Sequence, residues 1–467
     1  MKKSSTTSSI ALEQQPVSRL FRDYAVPAIL ATAASSLYNI IDRIIIGQGV
    51  GPLAISGLAL TFPIMNLSIA FGTLIGSGSS AIASIRLGEH RYQEANRVLG
   101  NSLILTVIIS LFATSLFLLF LDPLLLFFKA SKDTLPYARD FLKIILYGII
   151  VSNLFYGLNG MMRSTGHPKK AMVSILLTVG LNLILALLFV LGFHWGIRGA
   201  AWATVLAQLG GLVWVLAHFL SPKTEVRFTR ESIRLDWKIT KEVCAIGLSP
   251  FLIHLCSCVV IMLINMQLKR YGDLDFTGIS IDGKSVAGGD LAIGAFGIIN
   301  SIVGFMVMVI FGLAHGLQPI AGYNYGAGRI DRVREALALA IKWATVVSIF
   351  TFALCMLFPK AITGIFTKDY NTTLITARGL RLYVSMFIFT GFQVVTSILF
   401  QSVNKAGISI LLSTTRQVLF LVPCILLLPT LLHTDGVWLS QAVADLLAAL
   451  VTGWVLVYHL RKGVLKG

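Results

Sequence analysis

The sequence predicts an all-α integral membrane protein, with twelve transmembrane helices in two pseudo-symmetric six-helix lobes. Three observations carry that expectation. Of the 467 residues, 56% are hydrophobic and 13% charged, about half the charge of an ordinary soluble domain. The apolar stretches are long enough to cross a bilayer core, which takes about 20 helical residues. The second half of the chain also repeats the first.

Residues 1–16 are rich in Ser, Thr and Gln and lack an apolar period, so they read as a disordered cytoplasmic tail. Apolar segments follow at 20–47, 53–85, 93–121, 134–161, 169–192, 197–220, 241–268, 290–322, 331–358, 373–402, 407–432 and 436–460. Helix-ending Gly, Pro and charged residues mark the breaks, as in Gly47-Gln48-Gly49-Val50-Gly51-Pro52. Charges of both signs and a Pro near its start set off 221–240 as a cytoplasmic linker. That leaves an N-terminal lobe over 17–220 and a C-terminal lobe over 241–467. The small residues Ala31–Ser36 follow Lys2 and Lys3 and could pass for a signal-cleavage site. The apolar run continues through Ile46 and has a later counterpart, so the segment reads as a first span.

The repeat is explicit. Leu53-Ala54-Ile55 opens a segment ending Ile82-Ala83-Ser84, and Leu291-Ala292-Ile293 opens one ending Ile320-Ala321-Gly322, an offset of 238 at both ends. Gly199-Ala200-Ala201-Trp202 pairs with Gly436-Val437-Trp438-Leu439 at offset 237. Pro27 pairs with Pro250 and Asp42 with Asn265 at offset 223, the difference falling in the polar loop 272–289. Two halves in the same orientation fit an axis along the membrane normal.

A net charge of +17 would suggest nucleic acid in a soluble chain. Here the basic residues sit in short loops between spans, where they set topology. Their distribution places both termini on the cytoplasmic side of the cell (inner) membrane and leaves no reason to expect a nucleic-acid partner. The five cysteines lie in or beside apolar stretches without paired spacing, so free thiols and no metal site are expected. No phosphate-binding Gly-rich loop, His-Glu-x-x-His or Gly-x-Ser-x-Gly motif occurs. The chain therefore reads as no enzyme, with no cofactor beyond a coupling ion.

Chemistry concentrates on the first span. Ser35, Tyr38, Asn39 and Asp42 lie at helical spacing and form one polar stripe in an apolar segment. A carboxylate inside such a helix is costly and usually marks a proton or ion pathway. The bland alternative, an acid at a helix end that reaches water, sits poorly with a stripe that extends two turns inward. The second half carries Asn265 at the matching position, which cannot titrate. Asn182, Thr204 and Gln208 add uncharged polar atoms to the first half; Gln417, Gln441 and Asp445 correspond in the second, with Arg416 positioned to pair with Asp445. Pro27 is expected to bend the first span, because its ring removes a backbone hydrogen bond. Lone Asn and Gln side chains such as Gln318 commonly bond neighbouring helices, the alternative for Gln318 being a cavity lining.

Asn39-Ile-Ile-Asp42-Arg-Ile-Ile-Ile-Gly47 resembles the first helix of multidrug and toxic compound extrusion (MATE) transporters, and Gly57-Leu-Ala-Leu-Thr-Phe-Pro63 and Ser84-Ile-Arg-Leu-Gly88 resemble the second. Arg163-Ser-Thr-Gly166 and Gly199-Ala-Ala-Trp-Ala-Thr204-Val-Leu-Ala-Gln208 agree. The likeness covers the chain beyond its tail and is nearest the DinF-like branch, with its MepA-like exporters. It implies a secondary antiporter that exports amphipathic or cationic drugs or toxic metabolites by alternating access, in exchange for H⁺ or Na⁺. The coupling cluster it implies is Tyr38, Asp42, Asn182 and Thr204. Asn39, Gln208, Asn265 and Gln318 are the candidates for the substrate cavity. That branch often carries a second acid where this chain has Ala186, so protonation of a single carboxylate is favoured over a Na⁺ site at Asp42, Asn182 and Thr204. The other readings are a lipid-linked oligosaccharide flippase of the same superfamily and a membrane-embedded transferase. The partners expected are small amphipathic substrates and the lipid bilayer, with the chain acting as a monomer.

Overall fold

The computed structural model describes residues 8–128, 132, 134–277, 280–281, 284–285, 287–367, 369–462 and 465. They are almost entirely helical. A short helix α1 (Ser8–Gln14) precedes α2 (Val17–Gly49), α3 (Pro52–Gly88), α4 (Tyr92–Leu119), α5 (Leu121–Phe127) and α6 (Leu135–Ser164). Next come α7 (Pro168–Ala186), which continues as a π-helix over Leu187–Gly192, and α8 (Gly196–Leu220). The second half holds α9 (Trp237–Asp275), α10 (Gly288–Gly326), α11 (Ile330–Leu357), α12 (Pro359–Gly364), α13 (Tyr370–Val384) and α14 (Thr390–Ser402). It ends with α15 (Ala406–Thr414), a π-helix over Thr415–Leu421, and α16 (Val422–Arg461).

Ten helical stretches among the described residues are long and apolar enough to cross a membrane, and α13 with α14, bent by 47°, makes an eleventh. The last stretch, Ala406–Arg461, has 56 residues, more than twice what one crossing of a bilayer core of about 30 Å requires. It divides at His433, whose φ of 50° and ψ of −130° are not helical. Twelve spans result, with the last break inside the 433–435 gap read from the sequence. The break at Ser385–Phe389 was not foreseen, since no Gly or Pro marks it.

Local chemistry sets the helix starts. Gly51 takes φ +113°, a turn that suits glycine, and Pro52 then occupies a first-turn position where its missing N–H costs nothing. Asp236 caps α9 by accepting from the Lys238 and Ile239 amides at 2.9 and 3.4 Å. The α2 helix runs uninterrupted through Pro27.

The halves close on each other through glycines at one end of the bundle. A Cβ on Gly78 of α3 would lie 2.1 Å from the Val243 carbonyl oxygen of α9, and one on Gly316 of α10 would lie 2.6 Å from Ala25 Cα of α2. Gly78 and Gly316 are themselves related by the repeat offset of 238, so the two contacts are pseudo-symmetric. An ion pair from Arg86 to Glu242 at 2.8 Å crosses the seam. Further along α10, Gly294, Gly297 and Gly304 have open space where a side chain would begin.

One expectation needs correction. The tail is not disordered over all of 1–16, because Ser8–Gln14 form α1, with Leu12 fully buried and Glu13 paired to Arg329 at 2.7 Å. One apolar anchor and one charge dock it, too sparse a signal to stand out in a Ser/Thr-rich stretch; residues 1–7 lie outside the described residues. The linker is irregular through Asp236, and α9 begins at Trp237, a turn ahead of the expected 241. It is tied to α4, where Asn101 donates to the Arg234 carbonyl and accepts from the Asp236 amide at 2.9 and 2.8 Å. Arg334 bonds the carbonyls of Leu460 and Leu465 at 2.9 and 2.7 Å, so both chain ends gather beside the start of α11.

Candidate functional site

In the first half, α2, α7 and α8 converge on three polar side chains. Tyr38 Oη lies 3.1 Å from Thr204 Oγ1, and Asn182 Nδ2 is 3.4 Å from Tyr38 Oη and 3.2 Å from Thr204 Oγ1. The Thr204 hydroxyl donates back to the Ala200 carbonyl at 3.1 Å. A threonine hydroxyl has a single proton, so Tyr38 donates to Thr204 and accepts from Asn182. Every hydroxyl proton in the triangle is thereby committed.

Asp42 stands four residues beyond Tyr38 on the same helical stripe. It is buried, with 8% of its surface exposed, and its Oδ1 has no hydrogen-bond partner among the described residues. Orphaned buried polar atoms are rare in folded proteins and call for an explanation. The triangle supplies one: it has no hydroxyl proton left to give the acid.

Ser35, Tyr38, Asn182, Thr204 and Gln208 share a cavity with Tyr156, Thr178 and apolar neighbours, enclosing about 20 Å³. That volume accepts a water molecule. Among the described residues no lysine or arginine lines it. Gln208 accepts a short hydrogen bond from Ser152. The remaining candidates lie elsewhere. Asn39 is exposed and donates to the Ser35 carbonyl of its own helix at 2.9 Å. Asn265 is on α9 in the other half, and Gln318 is 2% exposed on α10, its Nε2 unpartnered among the described residues. Tyr156, Thr178 and Ser152 were missed by sequence reasoning. Spacing held a usable signal, since Thr178 precedes Asn182 by one helical turn and Ser152 precedes Tyr156 by one.

The second half has a polar centre of another kind. Asp445 on α16 is 1% exposed. Its Oδ1 accepts from Arg416 Nε at 2.8 Å and Gln441 Nε2 at 3.0 Å, and its Oδ2 from Thr390 Oγ1 at 3.2 Å. Arg416 and Gln417 occupy the π-helical stretch, where Gln417 also bonds Ser257 on α9 at 3.2 Å.

The MatE family model matches residues 27–188 and 283–426. Over 451 residues the chain is 24% identical to the multidrug export protein MepA of Staphylococcus haemolyticus, covering 96% of this chain and 95% of that protein. A structure described as the outward-facing conformation of a multidrug resistance MATE family transporter of the MOP superfamily superposes with a TM-score of 0.89 at 24% identity, covering 99% of this chain and all of that one. The MATE multidrug transporter DinF-BH, solved as a ligand complex, is 33% identical with a TM-score of 0.86, covering 97% of this chain and 98% of its own.

Proposed function

We propose a mechanism from one premise: this chain belongs to the MatE family of multi-pass membrane transporters. It is a secondary active antiporter, not an enzyme, and exports small amphipathic or cationic compounds by alternating access. What we add is the identity of the coupling ion and the residues that handle it.

The coupling ion is H⁺, and Asp42 carries it. The observation behind this reading is the orphaned Asp42 Oδ1 beside a triangle with no spare hydroxyl proton. An ionised carboxylate with one oxygen buried and undonated is costly, since even a neutral polar group buried unpaired costs about 2–7 kcal/mol. Protonation removes that cost and turns the acid into a donor. The triangle then offers what a protonated acid needs, since the Asn182 carbonyl oxygen is not used in it. The state described here therefore suits a protonated Asp42. Loss of the proton creates a carboxylate that must recruit donors, and Tyr38 and Thr204 are the nearest hydroxyls on α2 and α8. Turning them toward Asp42 breaks the triangle and shifts α2 against α7 and α8. Pro27, which leaves the Asp23 carbonyl without its usual helical donor, gives α2 a place to yield.

The glycine-closed end carries both chain ends, and the Lys and Arg distribution assigns it to the cytoplasm. The cleft then opens outward in this state. One chain supplies both sides of the cleft, so the monomer is the working unit. The relatives reported above are multidrug exporters, which supports export over the flippase reading. Purified protein in vesicles with an imposed H⁺ or Na⁺ gradient tests the proposal. Export of a fluorescent cation should follow the H⁺ gradient alone; export driven only by Na⁺ would overturn the ion assignment.

A further inference from the structure

The two halves differ at the end of the bundle away from the chain termini. In the first half that end is filled by Ile45, Ile46, Phe189 and Val190, packed as one apolar cluster. In the second half it holds a cavity of about 630 Å³ between the end of α9, the start of α13 and the break in α16. Cavities of about 300–1,000 Å³ are the range that receives drug-sized ligands.

The break makes this cavity. His433 sits at φ +50°, in backbone space that L-residues rarely enter. Asp275 holds it there, taking His433 Nδ1 on Oδ1 at 2.8 Å and the Thr434 amide on Oδ2 at 2.9 Å. Asp435, next along the chain, pairs with Arg378 across the opening. Both carboxylates line the cavity with acceptor capacity to spare, because each oxygen takes about two hydrogen bonds. Trp438 also lines it, and although 1% exposed its indole N–H has no partner among the described residues. An indole N–H can only donate, so what is missing there is an acceptor. Phe276, Leu374 and Leu431 supply an apolar wall.

We propose that this cavity is a second ligand site, outside the central cleft, for an amphipathic compound with a cationic N–H group and a separate hydrogen-bond acceptor. The cationic N–H meets Asp435 or Asp275, the acceptor meets Trp438 Nε1, and the body lies on the apolar wall. The ligand class rests on the export function above, and the position suits a compound on its way out.

An ethyl-ester rhodamine dye fits the class, with N–H donors on a cationic ring system and an ester carbonyl. Its binding to the full chain in lipid nanodiscs, without a gradient, can be followed by fluorescence anisotropy. Trp438→Phe keeps the ring and removes the N–H, and Asp435→Asn keeps the shape and removes the charge at a partly exposed position. Each should weaken a saturable binding phase by roughly 5- to 10-fold. Wild-type affinity in both variants, or no saturable binding to the wild type, would overturn the site. Gradient-driven export of the same dye, measured in parallel, separates the two claims. Binding that depends on Trp438 without export would sink the export reading and leave the site; export with unchanged variant binding would do the reverse.

Discussion

Asp42 and Asp445 are both carboxylates buried in membrane-spanning helices, one in each half, and their surroundings are opposites. Asp445 receives Arg416, Gln441 and Thr390, so its charge is balanced and both its oxygens are bonded. Asp42 has an orphaned oxygen beside hydroxyls whose protons point elsewhere. A balanced acid gains nothing by taking up a proton, because its arginine would then stand alone. An acid without donors changes its free energy greatly when it does. The two acids stand at positions the repeat does not equate, since Asp42 matches Asn265 and Asp445 matches Gln208, and one is able to hold its lobe together while the other is able to move.

The same substitution at both sites should separate them. Asp445→Asn leaves Arg416, 26% exposed, without its counter-charge and takes the charged acceptor from Gln441 and Thr390, at the lower end of the cost of breaking a buried pair, about 3 kcal/mol. Thermal unfolding in detergent should show a large loss of stability, with lower yield. Wild-type stability would mean that the pair is not structural. Next in size is the double replacement of Asp445 by Leu with Arg416 by Met, which removes both charges. It should recover most of that loss, since buried pairs replaced together by apolar groups are often neutral or better. Failure to recover would place the cost in Gln441 and Thr390, which lose their acceptor.

Tyr38→Phe should have a smaller effect on stability than Asp445→Asn. It deletes two of the three hydrogen bonds of the triangle, each worth about 1 kcal/mol, and leaves the bond from Asn182 to Thr204. Its effect should appear in transport, as a several-fold slower export, because the donor nearest Asp42 is gone. Unchanged export would show that the triangle does not exchange partners with the acid.

Much of this was legible in the sequence, and the reasons are physical. The offset of 238 has a structural counterpart, since Gly78 and Gly316 make equivalent close contacts in which a Cβ would meet backbone atoms. The stripe from Ser35 to Asp42 shows because polar residues stand out in an apolar helix. The Asp445–Arg416 pair followed from the same contrast. Asn182 and Thr204 could be listed as polar atoms, but only the family likeness joined them to Tyr38. That Asp42 would lack a donor was not readable, since it depends on where the Thr204 hydroxyl points. The bend at Ser385–Phe389 and the π-helical stretches at Leu187–Gly192 and Thr415–Leu421 carry no Gly or Pro at their starts. They arise from packing between helices, and periodicity within one helix does not report that.

Asp42→Asn tests the central claim most directly. It copies the residue found at 265 in the other half, keeps the shape, and removes both the charge and the titration. The measurement is export of a fluorescent cation from vesicles with an imposed proton gradient, at matched protein content. The account predicts that the variant folds with wild-type stability, since Asn keeps the shape of the neutral, protonated acid, and that gradient-driven export falls to the level of empty vesicles. Export at the wild-type rate would contradict it, and would move the search for the coupling group to Asp445.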